Sequence, residues 1–392
     1  MEEVRNPYGP GAGTPPPALV GREGELHAFH VKLQRTLAGR PAKSLLVTGL
    51  RGVGKTVLLN RFVDIADGAG YATVFMEASA GSDFVAALAA HVRSLLYELD
   101  RRGGLSEKVK RALRVFKSFA ATINAAGSLA FSVDIDPERG AADSGDLAID
   151  LTALFVALAE AARDRGRGVL IAIDEVQYLG ERELAALIVA VHRTSQLSLP
   201  IVVVAAGLPQ VPALAGEAKS YSERLFDFPE IGELSPADAA RALVEPARAQ
   251  GVTFTDDATG EIYRVTRGYP FFVQKWGYDV WNAAPGSPIG IDVVRGIHER
   301  VIGELDRGFF RVRYDRLTPS QKRYLRAMAE LGPGPQRSGE IADRYGAKVT
   351  SLAPMRGQLI NQGMIYSPAH GDTAFTVPLF DEFLRRAEPD FA

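Results

Sequence analysis

The chain contains no cysteine. Disulfides, thiolate zinc sites and cysteine nucleophiles are thereby excluded, and the composition suits a reducing, cytoplasmic setting. An excess of one charge is missing as well. The 45 Lys and Arg against 47 Asp and Glu leave a net charge of −2. No global field therefore draws the chain to nucleic acid or to an anionic membrane, and any such binding has to come from a local patch. Long apolar runs are also lacking. Runs such as GVLIAI and PIVVVAAG have the length of strands and are too short to cross a bilayer, so no membrane partner is expected. The first residues, MEEVRNPYGPGAGTPPPALVG, carry two Glu near Met1 and no apolar segment. They read as a Pro/Gly-rich leader over residues 1–18, not as a secretory signal.

What is present is the composition of ordinary globular protein. With 392 residues, 46% hydrophobic and 23% charged, the chain has material for two or three domains and a large core.

The most informative stretch is TGLRGVGKTVLLN, Thr48 to Asn60. Residues Gly49 to Thr56 fit G-x-x-x-x-G-K-[ST]. The apolar run SLLVTG before them reads as a buried strand, and VLLNRFVDIA after them has helical spacing. The order strand, Gly-rich turn, helix aims backbone N–H groups and a helix N-terminus at phosphates. The cradle would comprise Gly49, Arg51, Gly52, Val53, Gly54, Lys55, Thr56 and Val57. Lys55 would supply a point charge to the β and γ phosphates, and Thr56 would ligate magnesium. Gly49, Gly52 and Gly54 permit positive φ and close approach to a ligand. A glycine turn that binds nothing is the bland alternative, and the flanking strand and helix argue against it.

The strand-like segment GVLIAIDEVQYL supplies the second motif. It places Asp174 and Glu175 at the carboxyl edge of a parallel sheet, where such folds bind ligands. Asp174 would hold magnesium through water, and Glu175 would act as general base toward the attacking water. Acidic residues after an apolar strand are common. About 120 residues beyond a phosphate loop, the pattern carries more weight.

Between these motifs the spacing predicts a strand at GYATVFMEAS and a helix through DFVAALAAHVRSLLYELDRR capped by Ser82. A basic amphipathic helix (LSEKVKRALRVFKSFAATINAAG) and a strand at LAFSVDID follow; they read as an insertion between the core units, over residues 105–140. The basic face has two readings, a partner or membrane surface and a solvated face; the second is preferred. Helices over DLAIDLTALFVALAEAARDRG and ERELAALIVAVHRTSQL flank the acidic motif, and LPIVVVAAG is a further strand. This alternation predicts an α/β fold with a parallel sheet covered by helices on both faces.

In these residues the chain resembles the AAA+ and STAND-like P-loop ATPases, above all the branch of origin-recognition-complex-like and archaeal-type ATPases. The resemblance rests on LVGRE near the start, the phosphate loop and the Asp174-Glu175 strand, and covers most of the chain. It implies a P-loop NTPase core over residues 19–232, an all-α lid over 233–315 and a C-terminal winged helix over 316–392. It also implies ATP and Mg2+ as cofactors, with Val20, Gly21 and Arg22 packing on the base, and hydrolysis coupled to a DNA or protein partner. Arg224, within SYSERLFDFPEIGEL, matches the arginine that reaches a γ phosphate in trans from a neighbouring subunit of a homo-oligomer. Its bland reading is a surface salt bridge with Glu223 or another nearby acid. Pro270, in GYP, matches the G-x-P element of STAND-like lids, and equally suits the first position of an ordinary helix. The family places a polar sensor at the end of the fourth strand. Here VVVAAGLPQ offers no Asn, Thr or Ser, and Gln177 and Gln210 stand as alternatives.

Beyond the lid, SPADAARALVEPARAQG starts a helix capped by Ser235, and Ile291 to Leu317 reads as one long helix. Three helices and a two-stranded hairpin around His370-Gly371 then compose the winged helix. Between Arg316 and Tyr366 eight basic residues face three acidic ones, a local positive field in a nearly neutral chain. The third of these helices offers only Lys348 and Arg356, and the hairpin tip carries Asp372, so DNA binding and a protein-contact role both remain open. Two functions compete: an ATPase that remodels a partner, and a slow nucleotide switch with little turnover.

Overall fold

The structure, a computed structural model, describes residues 1–11, 13–101, 106–123 and 136–390. The chain divides into two compact units. One comprises Arg22–Thr48 and Leu58–Glu230, the other Met1–Gly21, Gly49–Val57 and Ile231–Ala392.

The first unit is built on a parallel sheet of β1 (Ser44–Thr48), β2 (Tyr71–Glu77), β3 (Gly168–Asp174), β4 (Ile201–Gly207) and β5 (Phe226–Asp227). The spatial order is β2-β3-β4-β1-β5. All seven residues of β3 are buried. Successive side chains of a strand point to opposite faces, so both faces of the sheet are covered, as the unbroken run GVLIAID requires. Helices Glu23–Leu37, Phe84–Arg101, Leu147–Asp164 and Glu181–Gln196 form the layers. Phe29 meets Phe62 at 4.2 Å between ring centroids, both rings fully buried.

One local expectation is corrected here. The helix Phe84–Arg101 is capped by Asp83, not Ser82: the Ala86 N–H donates to Asp83 Oδ1 at 2.9 Å, and the Ser82 hydroxyl donates back to the Ser79 carbonyl. Asp83 is the residue directly before the first turn, the position from which a side chain reaches the third helical N–H. In the inserted segment, helix Glu107–Thr122 buries Val109, Leu113, Phe116 and Phe119. Its basic face is met by acids of the same unit, with Lys108 on Glu160 at 3.0 Å and Arg111 on Glu138 at 3.1 Å. That pairing favours the bland reading of the face over a membrane or partner surface. The strand expected at LAFSVDID lies, but for Asp136, outside the described residues.

In the second unit, helices Pro236–Ala249, Asp256–Thr266 and Pro270–Ala283 follow one another, the first capped by Ser235 through the Asp238 N–H at 3.1 Å. The single long helix expected from Ile291 is broken into Ile291–Gly296, His298–Leu305, a π turn Asp306–Phe310 and Arg311–Tyr314. Phe309 stacks on Phe271 at 4.7 Å while Phe310 stacks on Phe383 at 5.3 Å. Neighbouring residues of a regular helix point about 100° apart, and the wider turn lets both rings pack inward. The C-terminal part runs helix Pro319–Leu331, β6 (Gln336–Arg337), helices Ser338–Tyr345 and Val349–Asn361, β7 (Ile365–Tyr366), β8 (Asp372–Phe375) and helix Phe380–Ala387. The strands form an antiparallel sheet in the order β6-β8-β7. The short β6 and the final helix were not expected from the sequence.

Candidate active site

The phosphate loop is the link between the end of β1 and helix Lys55–Gly68. Gly52 and Gly54 have φ of +80° and +93°, the left-handed region in which a side chain is strained. Gly49 is glycine for a different reason: a Cβ there would lie 2.3 Å from the Ile231 carbonyl oxygen. Val53 and Lys55 are buried. The Lys55 ammonium donates to the carbonyls of Gly49 at 3.0 Å and Leu50 at 2.9 Å, so it is folded over its own loop. Two glycines with left-handed backbone, an ammonium curled above the loop and a helix beginning at that lysine together suit a phosphate chain.

Within the same unit two further segments meet this loop. The Phe271 N–H donates to the Gly52 carbonyl at 3.2 Å, which sets the start of helix Pro270–Ala283, with Pro270 its first residue, against the loop. Gly268, at φ +74°, is held to the Leu234 backbone, where a Cβ would come 2.5 Å from the carbonyl oxygen. The Arg51 N–H donates to the Thr376 carbonyl at 2.9 Å. Burial and then the positive charge of Arg51 push Arg313 below the usual guanidinium range, and Arg313 lies over the Phe309 ring at 4.4 Å. Sequence reasoning missed Arg313, because nothing in its local pattern distinguishes it from the other arginines of RVRYDR.

Val20 is buried in the apolar cluster of this unit, and Gly21, at φ +71°, leaves room for Asp238 and Leu234. Arg22 belongs to the other unit, where it is buried at the start of helix Glu23–Leu37.

In the sheet unit, β3, β4 and β1 end side by side at Asp174, Gly207 and Thr48. Asp174 is buried, and its Oδ1 accepts the Glu175 N–H at 2.9 Å. Glu175 has φ of +54°, a left-handed conformation that costs a non-glycine residue roughly 1–2 kcal/mol. Such strain clusters where a side chain is re-aimed for function. The Glu175 carboxylate accepts a hydrogen bond from Gln177 Nε2, and Gln177 Oε1 accepts the Leu208 N–H at 3.1 Å. A Cβ on Gly207 would sit 2.7 Å from that same oxygen. The amide therefore occupies the space that a polar side chain at the end of β4 would fill. Gln210 is not tied to Glu175, and its Oε1 is buried without a partner among the described residues.

Arg224, in the short helix Ser222–Leu225, is exposed and makes no side-chain ion pair among the described residues, so the bridge to Glu223 is not formed. Among the described residues no three His, Asp or Glu side chains cluster to hold a metal on their own. Magnesium at phosphate sites takes one or two protein oxygens and completes its shell with water and phosphate, and the Thr56 hydroxyl and Asp174 carboxylate are donors of that hard type.

Residues 18–204 match the AAA ATPase domain family, and residues 307–384 match a domain of unknown function (DUF8462). No curated protein matches the chain. Among solved structures, the chain is similar to the Walker-type ATPase of Pyrococcus abyssi, with 16% identity over 94% of this chain and 96% of that one and a TM-score of 0.55. It is also similar to the ORC2 protein of Aeropyrum pernix in its ADP form, with 16% identity over 96% and 97% and a TM-score of 0.54. At such identity the likeness is one of fold. No helix among the described residues is long and apolar enough to cross a membrane.

Proposed function

Residues 18–204 being an AAA ATPase domain on the fold of origin-recognition-complex-like ATPases, we propose that the chain binds ATP with magnesium and hydrolyses it to drive or gate the rearrangement of a DNA or protein partner. In this reading the loop amides of Gly52 to Thr56 and the Lys55 ammonium hold the phosphates, and Thr56 and Asp174 hold the metal. Magnesium would neutralise charge on the phosphates. Glu175 takes the proton of the attacking water, and Gln177 fixes the direction in which that carboxylate points. Val20, Gly21, Arg22 and Pro270 border the base, and Arg224 acts on the γ phosphate of a neighbouring copy.

The observation that carries the proposal is the Glu175 carboxylate, re-aimed by its backbone and held by Gln177 at the carboxyl edge of the sheet. Its test is steady-state phosphate release, with and without duplex DNA and across protein concentration. Release that depends on magnesium and rises with concentration is expected; a chain that binds no ATP analogue ends the proposal.

A second reading, a slow switch with little turnover, draws support from the bond between the Arg51 N–H and the Thr376 carbonyl. Through it a residue next to β8 touches the phosphate loop, and the nucleotide state could set whether the C-terminal part is exposed. A flat, near-zero rate with tightly retained ADP is the outcome that selects this reading.

The C-terminal order of helix, strand, helix, helix, strand, strand supports a winged-helix assignment for residues 316–392. Several of its positive charges are already engaged. Arg326 and Arg344 pair with Glu330, and Arg337 pairs with Asp372. Arg356 donates to Thr373 Oγ1 at 2.8 Å, Ser367 Oγ at 2.8 Å and the Asp372 carbonyl at 2.7 Å, which makes it a staple between helix and hairpin. A protein-contact role is thus better supported than DNA reading. Labelled duplex titrated at low salt decides the matter: tight binding with a steep salt slope restores DNA as the partner.

A further inference from the structure

The Pro/Gly-rich leader is built into the unit that carries the phosphate loop. Trp281 Nε1 donates to the Glu2 carbonyl at 3.0 Å, and Asn6 Nδ2 donates to the Tyr278 carbonyl at 2.9 Å and to Asn282 Oδ1 at 2.7 Å. Tyr8 is 3% exposed, and its hydroxyl donates to the Leu243 carbonyl at 2.5 Å. Its ring covers Gly277, where a Cβ would come 2.9 Å from Tyr8 Cδ1. These partners run backwards along helix Pro270–Ala283, so the leader travels toward the end of that helix which touches Gly52. Farther along, Gly13 reaches the loop itself. A Cβ on Gly13 would lie 3.1 Å from Thr56 Cγ2, and its φ of +68° is a conformation that favours glycine independently.

From this geometry we propose that Gly13 is a positioning residue for magnesium–nucleotide binding, with Tyr8 anchoring the leader that carries it. The proposal rests on the reading that the Thr56 hydroxyl ligates the magnesium of bound ATP. The methyl and hydroxyl of threonine share one carbon, so confining the methyl selects the rotamer and with it the direction of the hydroxyl. The Thr56 methyl lies beside the space that a side chain at position 13 would fill, and Gly13 leaves that space open. A side chain at position 13 would push that methyl away and swing the hydroxyl off the metal. Magnesium demands near-ideal octahedral geometry, so a misplaced ligand is costly.

The test uses the full chain and a fluorescent ATP analogue, titrated once with magnesium and once with EDTA. The parent is expected to bind more tightly with magnesium. Gly13→Val is expected to lose about tenfold of that gain, the size of one charge-assisted contact, while affinity in EDTA stays within about twofold. Gly13→Ala, a smaller intrusion, is expected to lose part of it. Adding Thr56→Ser to Gly13→Val removes the methyl that is pushed and is expected to restore the magnesium gain. Tyr8→Ala is expected to reproduce the loss with the glycine intact. Equal losses in magnesium and EDTA, or no rescue by Thr56→Ser, would make Gly13 merely structural and overturn the inference. A parent that binds no analogue at all instead overturns the nucleotide reading on which it rests.

Discussion

Gln177 bridges two strand ends: its amide nitrogen donates to the Glu175 carboxylate after β3, and its amide oxygen accepts the Leu208 N–H after β4. Glu175 is thereby fixed relative to the strand that lacks a polar terminus. If Glu175 is the general base, Gln177→Leu keeps the carboxylate but removes one hydrogen bond that directs it, and turnover should fall by about tenfold or more, with nucleotide affinity unchanged. Gly207→Ala should do the same from the other side, because its methyl would meet Gln177 and Val211. Phosphate release and analogue titration on the same preparations check both; a Gln177→Leu protein with the parent rate removes the residue from the mechanism.

The sequence spells out the parts of this arrangement that are local. A strand buried on both faces must be continuously apolar, so β1, β3 and β4 stand out, and the phosphate loop is one contiguous stretch with a strict pattern. The parts that depend on tertiary contact are silent. Nothing local says that Gly207 is vacant so that Gln177 can fill its place, and two glutamines were equally eligible until the hydrogen bonds distinguished them. The leader shows no structure in its sequence because Pro and Gly carry no periodicity, whereas Tyr8 and Gly13 owe their roles to a helix more than 250 residues away and to Thr56. The break near Asp306 is silent in the sequence for a similar reason: helical spacing continues through it, and only the inward packing of both Phe309 and Phe310 demands the wider turn.

The two charged residues most legible in the sequence should separate binding from chemistry. Lys55→Ala removes a charge-assisted contact of about 1.5–3 kcal/mol and should weaken ATP binding roughly ten- to a hundredfold. Glu175→Gln keeps the shape and the Gln177 neighbour but cannot accept a proton, so analogue binding should persist while phosphate release falls by about a hundredfold or more. If Glu175→Gln hydrolyses at the parent rate, another group is the base.

Acid should loosen the C-terminal part through Glu330. The hydrogen bond from Arg326, and then Arg344, holds its carboxyl below the ordinary carboxylate value. A folded pKa below the unfolded one, about 4.3, means the pair contributes stability above the unfolded pKa and loses it as pH falls through the folded one. Glu330→Gln should therefore lower Tm at pH 7, and the gap to the parent should close as the pH drops below about 4. Melting curves across that range check the sign: a gap that widens in acid contradicts the assignment.

Arg224 bears on assembly. It stands on a four-residue helix, exposed, beside a glutamate it does not pair with. A long cation without an acid partner among the described residues has little stabilising role to lose, so Arg224→Ala should leave Tm within about 1 °C, as exposed substitutions generally do. If the guanidinium reaches the γ phosphate of a neighbouring copy, the same substitution should cut turnover by on the order of 10³-fold or more, the scale of an arginine supplied in trans. The two effects together would be hard to obtain from a residue that merely decorates the surface. Mixing decides the geometry. Arg224→Ala retains a working phosphate loop, and Lys55→Ala retains a working arginine, so each alone should be nearly inactive while an equimolar mixture recovers activity at interfaces that combine the two intact halves. Phosphate release from the mixture at rising total concentration reads this directly, and a mixture no faster than its inactive components would confine Arg224 to its own subunit.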